Sequence, residues 1–252
     1  MIFPFFWMFS TALKSEAEIY KWPPSLFPNN PLWENFKEAW GMAPFNRYIL
    51  NTFIITIFSV FFVCLFSSMA GFAFGKYTFA GREVLFWTML LFMMLPSQVT
   101  LIPVYLILRD LRWLNTYQGL IVPGLASPFG VFLVRQYMQT IPNELIDAAR
   151  IDGCSEWKIF STIVLPLIKP VLGTLTIFTF TGSWNSFLWP LIITDRQEMY
   201  TIQVGISFFR GQYHVTYNYL MAASFISLIP VIIIFLLFQK YFVSGLVLSG
   251  MK

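Results

Sequence analysis

The sequence predicts an all-α integral membrane protein of about six transmembrane helices, and three observations predict it. Hydrophobic residues make up 57% of the chain and charged residues 11%, against roughly 45–50% and 25% in soluble domains. The charges are segregated: no acidic or basic side chain occurs from Thr52 to Gly75, nor between Glu83 and Arg109. Each gap is long enough for a bilayer core, which needs about 20 helical residues. The apolar runs also carry Pro96, Pro103, Pro123, Pro128, Pro166, Pro170 and Pro230. Membrane helices tolerate proline where neighbouring helices or a water-filled cavity satisfy the freed backbone groups. That pattern favours a packed bundle around a pathway over a simple anchor.

The chain reads as a single transmembrane domain over 1–252. Residues 1–13, MIFPFFWMFSTAL, are apolar but too short to cross. Without a basic leader or a small-residue cleavage site, they read as the outer end of a first helix whose beginning is missing from the chain or was lost to start-codon assignment. Residues 14–47 are predicted to form an ordered external loop, with Pro23, Pro24, Pro28 and Pro31 and the interfacial aromatics Trp22, Trp33 and Trp40. Helices 2–4 fall within 48–134, as apolar segments 48–75, 84–108 and 117–134. Helix 5 spans 164–193, residues 194–219 form a second external loop, helix 6 spans 220–238, and 239–252 form a tail.

Other features exclude function classes. The net charge of +4 comes with 16 Lys and Arg scattered among loops, which points to lipid headgroups and not to nucleic acid. Cys64 and Cys154 have neither disulfide nor metal-site spacing, and His214 is the single histidine and reads as a loop residue. With no CxxC or HExxH pattern, a protein-bound metal is not expected. Nor is there a phosphate-binding GxxxxGK[ST] loop or a nucleophile–base constellation. Basic residues divide evenly between the two sides of the predicted topology, eight and eight of 16, so the positive-inside rule does not orient the chain.

The most informative stretch is 140–163 with its continuation, TIPNELIDAARIDGCSEWKIFSTIVLPLIKP. It lies between two spans yet reads as two short helices joined by a glycine. Pro142, Glu144 and Asp147 suit a helix N-terminus, and Gly153 supplies the turn that ends it. Ser155 and Glu156 suit the start of the next helix.

Asp147-Ala148-Ala149, Gly153 and the distal Leu165-Pro166 resemble the EAA loop of ABC-importer permeases. The longer strings AARIDG, SEWKIF and LPLIKP, with SWNSFLWPL at 183–191, are similar to the second, maltose-type permease subunit of carbohydrate importers. The resemblance implies a type I importer permease fold in a bacterial or archaeal cytoplasmic membrane, with 140–163 as a cytoplasmic coupling loop. It implies as partners a homologous permease, two ATP-binding subunits and an extracytoplasmic sugar-binding protein. No cofactor is expected in this chain, ATP and Mg belonging to the partner ATPase. Small side chains at Ala148 and Ala149 would let another surface approach, and Asp147, in place of the motif's usual Glu, would pair with a basic group there. Glu144, Arg150 and Asp152 are further candidates for ATPase coupling. The resemblance places the binding-protein contact in 194–219, while the tail matches the family's QKYFVSGL but departs from it in VLSGMK.

Candidates for a sugar pathway are Trp184, Asn185 and Trp189, whose aromatic faces and amide suit CH surfaces and hydroxyls; interhelical packing is the alternative for all three. Gln98 and Asn51 are polar residues in or near spans and are expected to face the bundle interior, lining a pathway or bonding between helices. A secondary transporter would carry ionisable residues within its spans for ion coupling, and these are nearly absent.

Overall fold

The computed structural model describes residues 2–210 and 216–247, without the side chains of 242–247. His214 and the last residues of the tail lie outside the described residues. Among them the fold is all-α. Two helices, Phe45–Lys76 and Tyr217–Tyr241, are long and apolar enough to cross a bilayer, and the number rises to 5 if each of three bent helix pairs is one span.

The bends correct three of the predicted spans. Segment 84–108 is two helices, Arg82–Met93 and Ser97–Asp110, bent by 99°, because Pro96 takes an extended backbone and starts the second helix. Segment 117–134 breaks between Tyr117–Gly124 and Pro128–Met138 with a 42° bend. Ser127 caps the new helix by accepting the Gly130 N–H at 3.0 Å. Segment 164–193 is Glu156–Leu167 and Lys169–Trp184, bent by 75°, with Leu188–Ile193 as a separate helix. Proline at each break removes a backbone donor, which the hydropathy pattern does not register.

Two loop predictions are also adjusted. Segment 14–47 contains helices Glu16–Ile19 and Glu34–Gly41, and the long helix already begins at Phe45. The last helix runs on to Val247, so much of the predicted tail is helical.

The chain forms two compact units. One comprises the described parts of Met1–Ile55 and Trp184–Ile233 and is packed through aromatics: Phe9 on Phe225 at 4.9 Å, Phe45 stacked on Phe209 at 5.6 Å, Phe53 edge-on to Trp184 at 4.8 Å. Each such pair adds about 0.5–1.5 kcal/mol beyond its area burial.

The other unit, Thr56–Ser183 with the described part of Ile234–Lys252, has its core around Phe72, Val134, Met138, Ile146, Ile159, Phe160 and Ile168. Here helix Phe45–Lys76 crosses Pro128–Met138 with almost no space between them. A Cβ on Gly71 would lie 2.5 Å from Val134, and one on Gly75 would lie 2.7 Å from Met138. Gly71 and Gly75 make a GxxxG pair, the small-residue spacing that lets membrane helices approach. Arg135, on the same helix as Val134, is buried; its Nη2 donates to both Glu83 oxygens at 2.9 and 3.1 Å, and its guanidinium lies 3.8 Å from the Phe86 ring centroid. This clasp ties helix Arg82–Met93 to Pro128–Met138.

A broad apolar belt stays exposed, with Val84, Trp87, Leu91, Phe92, Val99 and Ile102 each more than 60% accessible. An aqueous surface of that kind aggregates; a lipid-facing one does not.

Candidate functional site

The loop predicted at 140–163 is a helix–turn–helix built by local rules. The first helix, Asn143–Ile151, follows Pro142, carries Glu144 in its first turn and Arg150 in its last, and so complements its own dipole. Its end is a Schellman turn: Cys154 N–H donates to Ala149 O and Gly153 N–H to Arg150 O, both at 3.0 Å. Gly153 sits at φ +77, a left-handed backbone that residues with a Cβ adopt at a cost of about 1–2 kcal/mol. Ser155 then caps the second helix by accepting the Lys158 N–H at 3.3 Å. Residues Ile159–Val164 form a π-helical stretch, a rare form that gathers at functional positions.

The loop helix is amphipathic, and its two faces part company at the alanines. Ile146 and Ala149 are buried in the unit's core with Ile159 and Phe160. Leu145, Ala148 and Ile151 form the opposite ridge at the i, i+3, i+6 spacing of one helix face, and all three are exposed. Ile151 is 87% accessible. The prediction that Ala148 and Ala149 together admit a foreign surface is therefore corrected: only Ala148 faces outward, and Ala149 is small because the chain's own core presses on it.

Three of the charged residues, Asp147, Arg150 and Glu156, are likewise occupied within the chain. Arg150 donates to Asp147 Oδ1 at 3.1 Å and through Nε to Glu156 Oε1 at 2.8 Å, bridging the two helices across the glycine turn. Its guanidinium also faces the Tyr77 ring at 5.5 Å, and the Tyr77 hydroxyl donates to Glu156. The bond to Glu156 raises the Arg150 pKa above its ordinary value, while burial, reinforced by Glu156, raises that of Tyr77. At physiological pH the guanidinium stays charged and the phenol stays protonated. Lys76 completes the brace, donating to Ile141 O and, at 2.7 Å, to Asn143 Oδ1 at the start of the loop helix. Asp147 thus already has a basic partner, and Arg150 acts as an internal clasp. Asp152 and Glu144 are exposed. The sequence places Glu156 only at the start of the second helix and gives no sign that it bonds Arg150; Tyr77 and Lys76 lie far away in sequence and carry no local signal.

The pathway candidates separate more sharply. Trp184 is fully buried and donates its indole N–H to Ser227 O at 2.9 Å, which makes it a packing residue and decides for the interhelical alternative. Asn51 is also fully buried, and its amide donates to Glu198 O at 2.7 Å and Tyr200 O at 3.0 Å. It pins loop backbone to the helix. Asn185 is exposed and accepts from Gln203 at 3.3 Å; Trp189 is half-buried. Gln98 is exposed, just after the Pro96 break, and so does not face the interior of its unit. Among the described residues no group of three His, Cys, Asp or Glu is arranged to hold a metal ion.

The family model described as binding-protein-dependent transport system inner membrane component matches residues 67–247, from the GxxxG helix through the loop to the last helix. This chain belongs to that family. It is similar to the arabinooligosaccharides transport system permease protein AraQ of Bacillus subtilis (strain 168), 37% identical over 254 residues, covering 100% of this chain and 90% of the relative. It is also similar to the sn-glycerol-3-phosphate transport system permease protein UgpE of Escherichia coli O1:K1 / APEC, at 36% identity over 98% of this chain and 91% of that one. A solved bacterial ABC transporter that imports the acidic polysaccharide alginate has a chain matching with a TM-score of 0.83 and 25% identity, covering 96% of this chain and 90% of that one. The protein is an inner-membrane transport permease and not an enzyme, with ATP hydrolysis in a separate subunit. Family membership implies a partner permease, an ATPase and a binding protein.

Proposed function

We propose that this binding-protein-dependent permease forms half of the translocation path of an importer for a di- or oligosaccharide, or a related polyol or sugar phosphate. A homologous permease supplies the other half. Residues 140–163 face the cytoplasm, and helix Asn143–Ile151 docks in a cleft of one of two ATP-binding subunits. Segments 14–47 and 194–219 face the binding protein. Closure of the ATPases on ATP draws two such loops together and opens the path outward; hydrolysis resets it.

The observation that carries this reading is the exposed ridge Leu145–Ala148–Ile151 on a helix anchored by its own core. An apolar ridge projecting from a membrane protein calls for a covering surface, and a helix braced by Lys76, Arg150 and Glu156 can transmit displacement without deforming. The named substrates of the relatives, arabinooligosaccharides, sn-glycerol-3-phosphate and alginate, support carbohydrates and their phosphates as the class. The test is co-purification with the ATPase, followed by substrate-stimulated hydrolysis in proteoliposomes. Asp147→Lys and Gly153→Pro are expected to weaken both; persistence of complex and stimulation in both variants would contradict the coupling role.

A further inference from the structure

Two routes lead out of loop helix Asn143–Ile151 along the chain, and both are interrupted. Forward, the backbone passes the left-handed turn at Gly153, the π-helical stretch Ile159–Val164 and a 75° bend before Lys169. Backward, it passes residues 139–142, which are not helical, before it reaches helix Pro128–Met138. Turns and π-helical stretches are where a helical path bends, so a push on the loop is poorly conducted in either direction.

A lateral connection has no such break. Lys76 is the last residue of helix Phe45–Lys76, 32 residues with no proline among them. Tyr77 follows it and still donates its backbone N–H to Ala73 O at 3.1 Å, so both side chains start from one stiff helix end. They grip the loop helix at its two ends. Lys76 Nζ donates to Ile141 O and, at 2.7 Å, to Asn143 Oδ1 at the first residue of that helix. The Tyr77 hydroxyl donates to Glu156, and its ring faces the Arg150 guanidinium in the last turn at 5.5 Å. Asn143 and Arg150 lie roughly 10 Å apart along the helix axis. One contact would be a pivot; two at that separation fix direction as well as position. Packing backs the grip, since the Phe72 ring lies 5.1 Å from Tyr77 and 5.8 Å from Phe160.

We propose that Lys76 and Tyr77 are the positioning residues through which the docked loop helix moves helix Phe45–Lys76. This helix, and not the chain that follows Gly153, then receives the loop's displacement. The inference rests on the coupling role of 140–163 given above. Packed side chains, hydrogen-bond networks and rigid elements carry coupling between sites, and this connection contains all three.

The test uses the complete importer in lipid nanodiscs, wild type against Lys76→Met/Tyr77→Phe. The affinity of the binding protein is measured with and without a non-hydrolysable ATP analogue, and the ratio of the two reads the coupling between the sites. The double variant is expected to keep its ATP-binding subunits while this ratio moves toward one by on the order of tenfold. Tyr77→Phe alone, which keeps the ring and loses the bond to Glu156, should give a smaller fall, and Lys76→Arg, still a donor, should keep the wild-type ratio. An unchanged ratio in the double variant overturns the inference. So does loss of the ATP-binding subunits together with a lowered unfolding temperature of the isolated permease, because the two residues would then only hold the loop in shape. Failure of the coupling role itself is seen separately, as a wild type whose binding-protein affinity does not respond to the nucleotide.

Discussion

The loop at 140–163 and the cluster around Trp184 and Asn51 were both singled out by their residue types, and the structure treats them oppositely. In the loop, the outward ridge Leu145–Ala148–Ile151 is left open while Asp147, Arg150 and Glu156 are paired internally. Around Trp184 and Asn51, polar and aromatic groups of the kind that would suit a sugar path are fully buried and bonded to backbone carbonyls. The difference teaches that in a membrane bundle a polar side chain facing inward is first a solution to a backbone problem. An exposed apolar side chain next to a charge cluster is the better pointer to an interface.

Four substitutions sharpen that contrast. The largest stability effect is expected for Trp184→Ala, which empties a fully buried site and should cost about 3–5 kcal/mol, read as a lowered unfolding temperature in detergent. A pathway role alone would change uptake KM and leave unfolding unmoved. Asn51→Leu keeps the branching of the side chain but removes the amide donor to Tyr200 O and leaves Glu198 O with the Arg47 Nε–H alone, and should cost about 1–3 kcal/mol by the same measurement. Gly153→Ala forces a Cβ into the left-handed backbone and should cost about 1–2 kcal/mol; open space around the Cβ position removes any steric contribution. Smallest is Asp147→Asn, which weakens an exposed contact to Arg150 and should change stability by no more than about 1 kcal/mol. A larger loss would mean that the Asp147–Arg150 pair carries fold stability, contrary to the division drawn here.

The loop was legible because its determinants lie within a few residues of one another. Pro142, Gly153 and Ser155 act on adjacent backbone through φ, capping and missing donors, and each took its expected place. The all-α membrane class followed as directly, from charge-free runs. What composition did not reveal depends on chain partners distant in sequence. Ala149 differs from Ala148 only by 100° around a helix, and which of them faces the core depends on Ile159 and Phe160 packing beneath. Lys76 and Tyr77 reach the loop from the end of another helix. The bends at Pro96, before Pro128 and at Ile168 leave hydropathy unchanged, so three continuous apolar runs became bent pairs. Gln98 shows the same failure, since a polar residue beside a break need not face inward.

The central claim, that helix Asn143–Ile151 is a rigid ridge covered by the ATPase, is tested most directly at Ile151, which is 87% exposed and touches no core. Ile151→Glu should leave the unfolding temperature of the isolated permease unchanged, because surface substitutions of this kind stay within about 0.5 kcal/mol. In the reconstituted importer it should abolish retention of the ATP-binding subunits and binding-protein-stimulated ATP hydrolysis. A variant that keeps its ATPase and hydrolyses ATP at the wild-type stimulated rate would contradict the account.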